Sequence, residues 1–341
     1  VFAVAVGAFG VMSACPSVAL AATKTATTAR VTFGVEPASA KGPDALPHFA
    51  IGATPGASQQ DHVAVLNYSA QPLSLQLYAT DAINTSNGGF GLLPATTKPT
   101  GVGSWVHLPR HSATVVVPKE TAKKPGQVIV PFTLRVPTTA TPGDHVGGIV
   151  ASLRTLGKNA SGQNVILEQR VGTRVFVRVA GALAPGLSLA DLHATYHGVR
   201  NPFGRGYTTV SYEVRNTGNV ELALNQGVTV SGLFGAKQGV TVRGVPLLLP
   251  GDAVQETARV SGVLPQFIDH ASVTAQSVAP NGDVDPRLPP AHASARLWAV
   301  PWTLIALIVL VLVALRLGFV IRKRRASATE PRRQVAQQVN A

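Results

Sequence analysis

Between residues 31 and 295 apolar side chains alternate with polar ones in short runs, and Gly, Pro, Asn or Asp closes each run. Residues 61–66, 73–78, 114–117, 128–136, 171–179, 208–214 and 227–230 carry the pattern most clearly, and Val, Thr, Leu and Phe dominate them. A period of two places every second side chain on one face of an extended chain, so each run predicts a strand with one buried face. No stretch of this region holds a helical period for long enough to predict an amphipathic helix. Pro118, Pro125, Pro131, Pro137 and Pro142 would break helices but suit turns and strand edges.

The small residues of 180–186 divide this region into a longer unit, 31–180, and a shorter one, 187–295. In the second unit, Asn216-Thr217-Gly218-Asn219 separates two strand-like runs and predicts a hairpin. Leu249-Pro250-Gly251-Asp252 predicts a further tight turn, and the polar, Pro-rich residues 281–290 a loop. Strands at this spacing predict an all-β fold of two tandem immunoglobulin-like β-sandwich domains.

The two ends read differently. Residues 1–22 are apolar or small and close on Ala19-Leu20-Ala21-Ala22, the pattern of a signal peptide whose start is truncated; residues 23–30 read as a linker. Residues 302–321 hold one charge, Arg316, in an otherwise apolar stretch. At 1.5 Å per residue, twenty residues span a hydrocarbon core of about 30 Å, so this stretch predicts a single transmembrane helix. Trp298 and Trp302 stand where an interfacial aromatic belt would lie. Arg316 lies roughly 9 Å inside the boundary by helical rise, within reach of the headgroups. Arg322, Lys323, Arg324 and Arg325 follow at once, which predicts a cytoplasmic C-terminus and an extracellular N-terminus. The basic tail 322–341 reads as a short segment, disordered beyond residue 325.

The net charge of +13 first suggests a nucleic-acid partner. From Arg316 onward, seven basic residues face only Glu330, which assigns +6 to the anchor and its tail. The +7 that remains is diffuse, suited to an anionic polymer rather than to DNA or RNA. Cys15 is the only cysteine and lies in the leader, so thiol catalysis and disulfides are excluded from the exported part.

Catalytic and metal signatures are weak. His193 and His197 are four apart, but the intervening Ala194-Thr195-Tyr196 reads as strand and not as a metal-binding helix. Asn281-Gly282-Asp283-Val284-Asp285 has the flavour of a calcium loop without the distal glutamate. Neither a nucleophile elbow nor a phosphate or dinucleotide loop is present. No cofactor and no metal is expected, and the chain reads as non-enzymatic.

Several stretches of the first unit resemble the peptidoglycan-binding domain of the WxL-interacting surface proteins of Gram-positive bacteria. They are Phe33-Gly34-Val35-Glu36-Pro37, Val65-Leu66-Asn67-Tyr68-Ser69, Asn87-Gly88-Gly89-Phe90, Ser104-Trp105-Val106 and, above all, Pro142-Gly143-Asp144-His145-Val146-Gly147-Gly148. The resemblance implies a membrane-anchored cell-surface protein that binds peptidoglycan or another anionic wall polymer through residues 31–180. It also implies that residues 187–295 present or hold a protein partner. Tyr78, Phe90 and Trp105 are the candidate residues for stacking on sugar faces if they share a surface, with core or edge packing the competing reading of Trp105. Two alternatives stand beside this reading: an assembly or receptor-like adaptor for another exported protein, without wall affinity, and a wall-modifying hydrolase using paired carboxylates.

Overall fold

The structure, a computed structural model, describes residues 31–280 and 285–338. The signal-peptide and linker readings, Cys15 and most of the calcium-like loop lie outside the described residues. In the first domain the strands are β1 (Phe33–Ser39), β2 (Gly42–Pro43), β3 (Phe49–Ala53), β4 (Ser58–Asn67), β5 (Leu73–Asn84) and β6 (Phe90–Leu92). A single helical turn, α1 (Val102–Trp105), precedes β7 (Val106–His107), β8 (Thr114–Val117), β9 (Gly126–Arg135), β10 (Gly143–Lys158) and β11 (Asn164–Val179). The second domain contains β12 (Leu187–His197), β13 (Gly206–Asn216), β14 (Leu222–Gly232), β15 (Lys237–Leu248), β16 (Ala253–Val263), β17 (Phe267–Val278) and β18 (Ala291–Ala299). Helix α2 (Trp302–Gln338) follows.

The fold is all-β, two sandwiches in tandem with one C-terminal apolar helix, as the alternation predicts. In the first domain the sheet β2-β1-β4-β9-β7 packs against β3-β11-β10-β5, with β6 and β8 pairing the two ends of β5. Alternation supplies the core directly: Leu73, Leu75 and Leu77 of β5 point inward, Ser74 and Gln76 outward. Phe132, Ile149, Val175 and Val177 close the same core from facing strands. Each such fully buried aliphatic side chain stabilises the domain by about 1.5–3 kcal/mol. Pro131 stands inside β9, where β7 pairs only with Thr133 and Leu134, so its missing N–H faces an open edge.

The second domain packs β12-β13-β16 against β15-β14-β17-β18 around Val210, Tyr212, Val214, Leu222, Leu224 and Val273. Here the expected hairpin is corrected. β13 pairs with β12 and β16, β14 with β15 and β17, so the chain crosses from one sheet to the other at 217–221. Asn216 explains the crossing. Fully buried, it donates from Nδ2 to the carbonyls of Val220 (2.7 Å) and Leu248 (3.0 Å) and accepts from the Gly218 N–H (3.0 Å). These side-chain bonds replace the ladder a hairpin would make. The Leu249–Asp252 turn is a second inter-sheet corner, closed by the Asp252 N–H on the Leu249 carbonyl, with Gly251 at φ +82° as a type II turn requires.

Helix α2 begins at Trp302, three residues after β18. The most apolar stretch within residues 302–325 has a mean hydropathy of 3.0 and none of it is buried against the protein, so the helix is long and apolar enough to cross a membrane. The expectation of disorder beyond residue 325 is corrected: the helix continues to Gln338. Ala, Gln and Arg, all good helix formers, make up eight of the thirteen residues 326–338, and the helix runs on through Pro331.

Candidate binding surface and its supports

Register places the candidate aromatics. β10 pairs with β11 along its whole length and with β5 over Gly147–Ser152. Three cross-strand rows result: Gln76–Ser152–Arg170, Tyr78–Val150–Gly172 and Thr80–Gly148–Arg174. All three lie on the outer face of the sheet, opposite Leu77, Ile149 and Val175 in the core. β6 pairs Ala82 with Leu92 and Asn84 with Phe90, which brings Phe90 to the same outer face as Tyr78. Trp105 does not join them. It is 6% exposed, in the core between the sheets, with its ring 4.8 Å from that of His145. The expectation of a three-aromatic surface is therefore corrected: α1 buries Trp105 because Gly103 lets the turn lie directly on the Thr80 backbone.

The outer face holds a groove of about 410 Å³ lined by Phe90, Leu92, Val150, Arg170, Gly172 and Arg174. The Arg174 guanidinium carbon sits 4.7 Å above the Phe90 ring centroid. No carboxylate lies within 4.0 Å of Arg170 or Arg174 among the described residues. Gly172 forms the floor, where a Cβ would approach Leu92 to 2.9 Å. Gly147 and Gly148 serve the same end on opposite faces: the first admits Val102 of α1, the second Leu92. The hydroxyls of Tyr78, Thr80 and Ser152 on this face are buried with no hydrogen-bond partner among the described residues.

Beyond this groove the β10–β11 hairpin outruns its sheet. β5 leaves β10 after Ser152, and β3 pairs with β11 only over Val175–Val179. Among the described residues, no strand pairs with the outer edge of residues 164–174. Leu156 and Ile166 face each other on the groove side, 76% and 73% exposed, and the Arg154–Glu168 ion pair (3.5 Å) separates them from Arg170.

At its other end the outer face meets the second domain. Phe176, Leu247 and Leu249 form an apolar cluster with Ala82, Phe90 and Val146. Asp144 accepts from Arg178 Nε (2.6 Å) and Nη2 (2.8 Å) and from the Glu221 N–H (2.8 Å). Arg178 Nη1 also pairs with Asp285 (2.9 Å). Asn84 holds the second domain's corner by donating to the Leu247 carbonyl and accepting from the Leu249 N–H, both at 2.8 Å. Asn219 ties the inter-domain segment, donating to the carbonyls of Pro142 and Ala182 and accepting from the Ala184 N–H. The cleft beside this joint is lined by Asp81, Asp144 and Asp252. Asp81 accepts from the N–H groups of Thr100, Gly101 and Gly103, and Asp252 from that of Asn84. These carboxylates are structural ties, each already occupied by fixed donors.

His193 and His197 lie on strand β12, where His197 stacks on Tyr207 at 4.6 Å. No group of three or more metal-ligating side chains occurs among the described residues. Of the anchor residues, Trp298 belongs to β18, opposite Ile268, while Trp302 opens α2. Arg316, Arg322, Lys323, Arg324 and Arg325 are exposed along the helix.

No protein-family model and no curated protein matches the chain. Among solved structures it is similar to the chaperone–tip adhesin complex of CFA/I fimbriae biogenesis, at 10% identity and a TM-score of 0.36 over 79% of this chain and 99% of that one. It is likewise similar to the class 5 fimbriae chaperone CfaA, at 10% identity and a TM-score of 0.35, covering 79% of this chain and all of that one. A Salmonella enterica SafA pilin–SafB chaperone structure matches at 9% identity and a TM-score of 0.33, over 79% and 98%. Likeness at this level carries no functional argument.

Proposed function

We infer that this chain is a membrane-anchored, non-catalytic adaptor that holds another exported protein on the β10–β11 hairpin. The observation that carries the reading is the hairpin itself. Its unpaired edge over residues 164–174 offers backbone donors and acceptors that an added strand would satisfy. Leu156 and Ile166 supply apolar contact, and Arg170 and Arg174 select acidic side chains four and eight residues along such a strand from the position facing Ile166. Helix α2 crosses the membrane, and the cluster Arg322–Arg325 keeps its C-terminal end in the cytoplasm.

A photo-crosslinking residue at Ile166 of the full chain, in the native envelope, should give one discrete protein adduct. The same probe at Gln276, exposed on the second domain, should give none. Equal adducts at both positions, or none at Ile166, would overturn the reading.

The two arginines beside Phe90, which meet no carboxylate among the described residues, favour a second reading, the one implied by the resemblance to WxL-interacting proteins. Wall carboxylates or phosphates would bind in the groove and a sugar would stack on Phe90. It expects the full chain in detergent to sediment with purified peptidoglycan, less so at high salt, and Arg170→Ala/Arg174→Ala to abolish sedimentation. Undiminished sedimentation of that variant would sink it.

A further inference from the structure

Four connections of the second domain converge on one end of its sandwich. His197 pairs with Tyr207, Gly206 with Val263, Gly232 with Asp269 and Phe267 with Ala299. The loops 198–205, 233–236 and 264–266 therefore lie beside the segment that enters α2. Large apolar side chains crowd this end in an exposed state: Phe203 at 75%, Leu233 at 66%, Phe234 at 79%, Phe267 at 50%, Trp298 at 75% and Trp302 at 73%. Scattered exposed hydrophobics are ordinary on a protein surface, but six on one end, from four separate segments, form a patch. Phe267 is held outward at φ +69°, a left-handed backbone that a bulky aromatic rarely adopts. The charges are one-sided as well. Arg200, Arg205 and Lys237 are exposed here, and none of residues 198–205, 232–237, 264–268 and 298–303 is acidic. A cavity of about 590 Å³ between Arg200, Pro202, Trp298, Pro301 and Trp302 opens at the base of the helix.

We propose that this end of the second domain is a membrane-docking face, seated in the headgroup region of the leaflet that α2 enters. The occupant follows from continuity, since only Val300 and Pro301 separate β18 from α2 and strand register sets Phe267 level with Ala299, at the end where the span begins. Phe, Leu and Trp enter the interface and the three cations meet anionic headgroups, the division of labour of an interfacial surface. The inference rests on α2 crossing the membrane and is independent of what the hairpin binds.

The test uses the full chain in a Cys15→Ser background, in nanodiscs of equal parts phosphatidylcholine and phosphatidylglycerol. Nitroxide labels are placed by Phe203→Cys, Phe234→Cys, Ser161→Cys and Leu312→Cys. Labels at 203 and 234 should be severalfold less accessible to an aqueous nickel chelate than the label at 161, and more accessible to lipid-dissolved oxygen. In Phe203→Ser/Leu233→Ser, with unchanged circular dichroism, the 234 label should regain aqueous access. Labels at 203 and 234 as exposed to nickel as the one at 161 would overturn the proposal while the 312 label stays in lipid. An aqueous 312 label would sink the span and the face together. Protection seen only in discs holding two copies would make the patch a self-association surface and overturn membrane docking.

Discussion

Asp144 is the point at which the two domains can be uncoupled by one side chain. Its carboxylate takes three charge-assisted bonds, two from Arg178 in its own domain and one from the Glu221 N–H across the joint. Asp144→Ala removes all three. The Glu221 N–H becomes a buried donor without an acceptor, which costs about 1–3 kcal/mol. Breaking a buried ion pair costs about 3–5 kcal/mol when the partner is stranded. Arg178 is not stranded, because it is 27% exposed and keeps Asp285 at 2.9 Å. The expected loss is therefore near the lower end, about 3 kcal/mol. For a unit of this size that is a drop of about 6–12 °C in Tm. Scanning calorimetry of the full chain in detergent should show the drop together with a split of one transition into two. Glu168→Gln is the control: its ion pair with Arg154 is 3.5 Å long and exposed, so its loss should cost under about 1 kcal/mol. An Asp144→Ala trace that matches the Glu168→Gln trace would refute the view that this carboxylate fastens the joint.

Other positions give sharper signs. Burial pushes the Asp269 carboxyl from 3.8 up to about 6, with His270 and the Gln266 backbone pulling it partly back. The folded state then holds the proton more tightly than the unfolded chain, so the stability this group contributes is full below about pH 4 and lost as pH rises through about 6. Asp269→Asn should flatten that dependence and raise stability near pH 8 by up to about 3 kcal/mol, read by denaturant unfolding across pH; an unchanged profile would contradict it. Asn216→Ala should cost about 2–3 kcal/mol by orphaning the inter-sheet corner, checked by the urea midpoint. Gly103→Ala would place a Cβ 2.4 Å from the Thr80 backbone and should lift α1 off the sheet, exposing Trp105 and red-shifting its fluorescence.

The strands were legible because alternation is a local signal. Residues 114–117 form β8 with the predicted bounds, and 208–214 lie inside β13. What alternation does not encode is pairing. Val210, Tyr212, Val214, Leu222 and Leu224 have the same inward pattern whether their strands are neighbours in one sheet or face each other across the core. The difference lies in Asn216, whose side chain reaches Leu248, thirty-two residues away. Trp105 fails for a related reason: the motif Ser104-Trp105-Val106 gives no periodicity, and its burial depends on Gly103 and Gly147 from separate segments. Phe90 and Tyr78 share a face only through the register of β6 and β10 on β5. Arg170 and Arg174 carry no signal of their own, because in sequence they are ordinary outward positions of a strand. The signal available was Gly172 between them, a glycine within a strand where a side chain or ligand comes close.

The joint and the apolar end lie at opposite ends of the same second-domain strands. Asn219, Leu249 and Asp252 bond to the first domain, while Gly206, Gly232 and Phe267 mark the end next to α2. Eleven residues of β13 or β14 separate the two ends, about 35 Å at 3.3 Å per residue. A single helix alone would leave the ectodomain free to swing about Val300 and Pro301. An interfacial patch at one end and a bonded joint at the other turn the second sandwich into a spacer. It holds the first domain, with its open-edged hairpin, at a fixed height. Two variants separate these supports. Phe203→Ser/Leu233→Ser should loosen the spacer at the membrane and leave the calorimetric coupling of the domains intact. Asp144→Ala should do the reverse, splitting the unfolding transition while the label at position 234 stays shielded from nickel. If either variant moves both readouts, the two ends are not independent and the spacer argument fails.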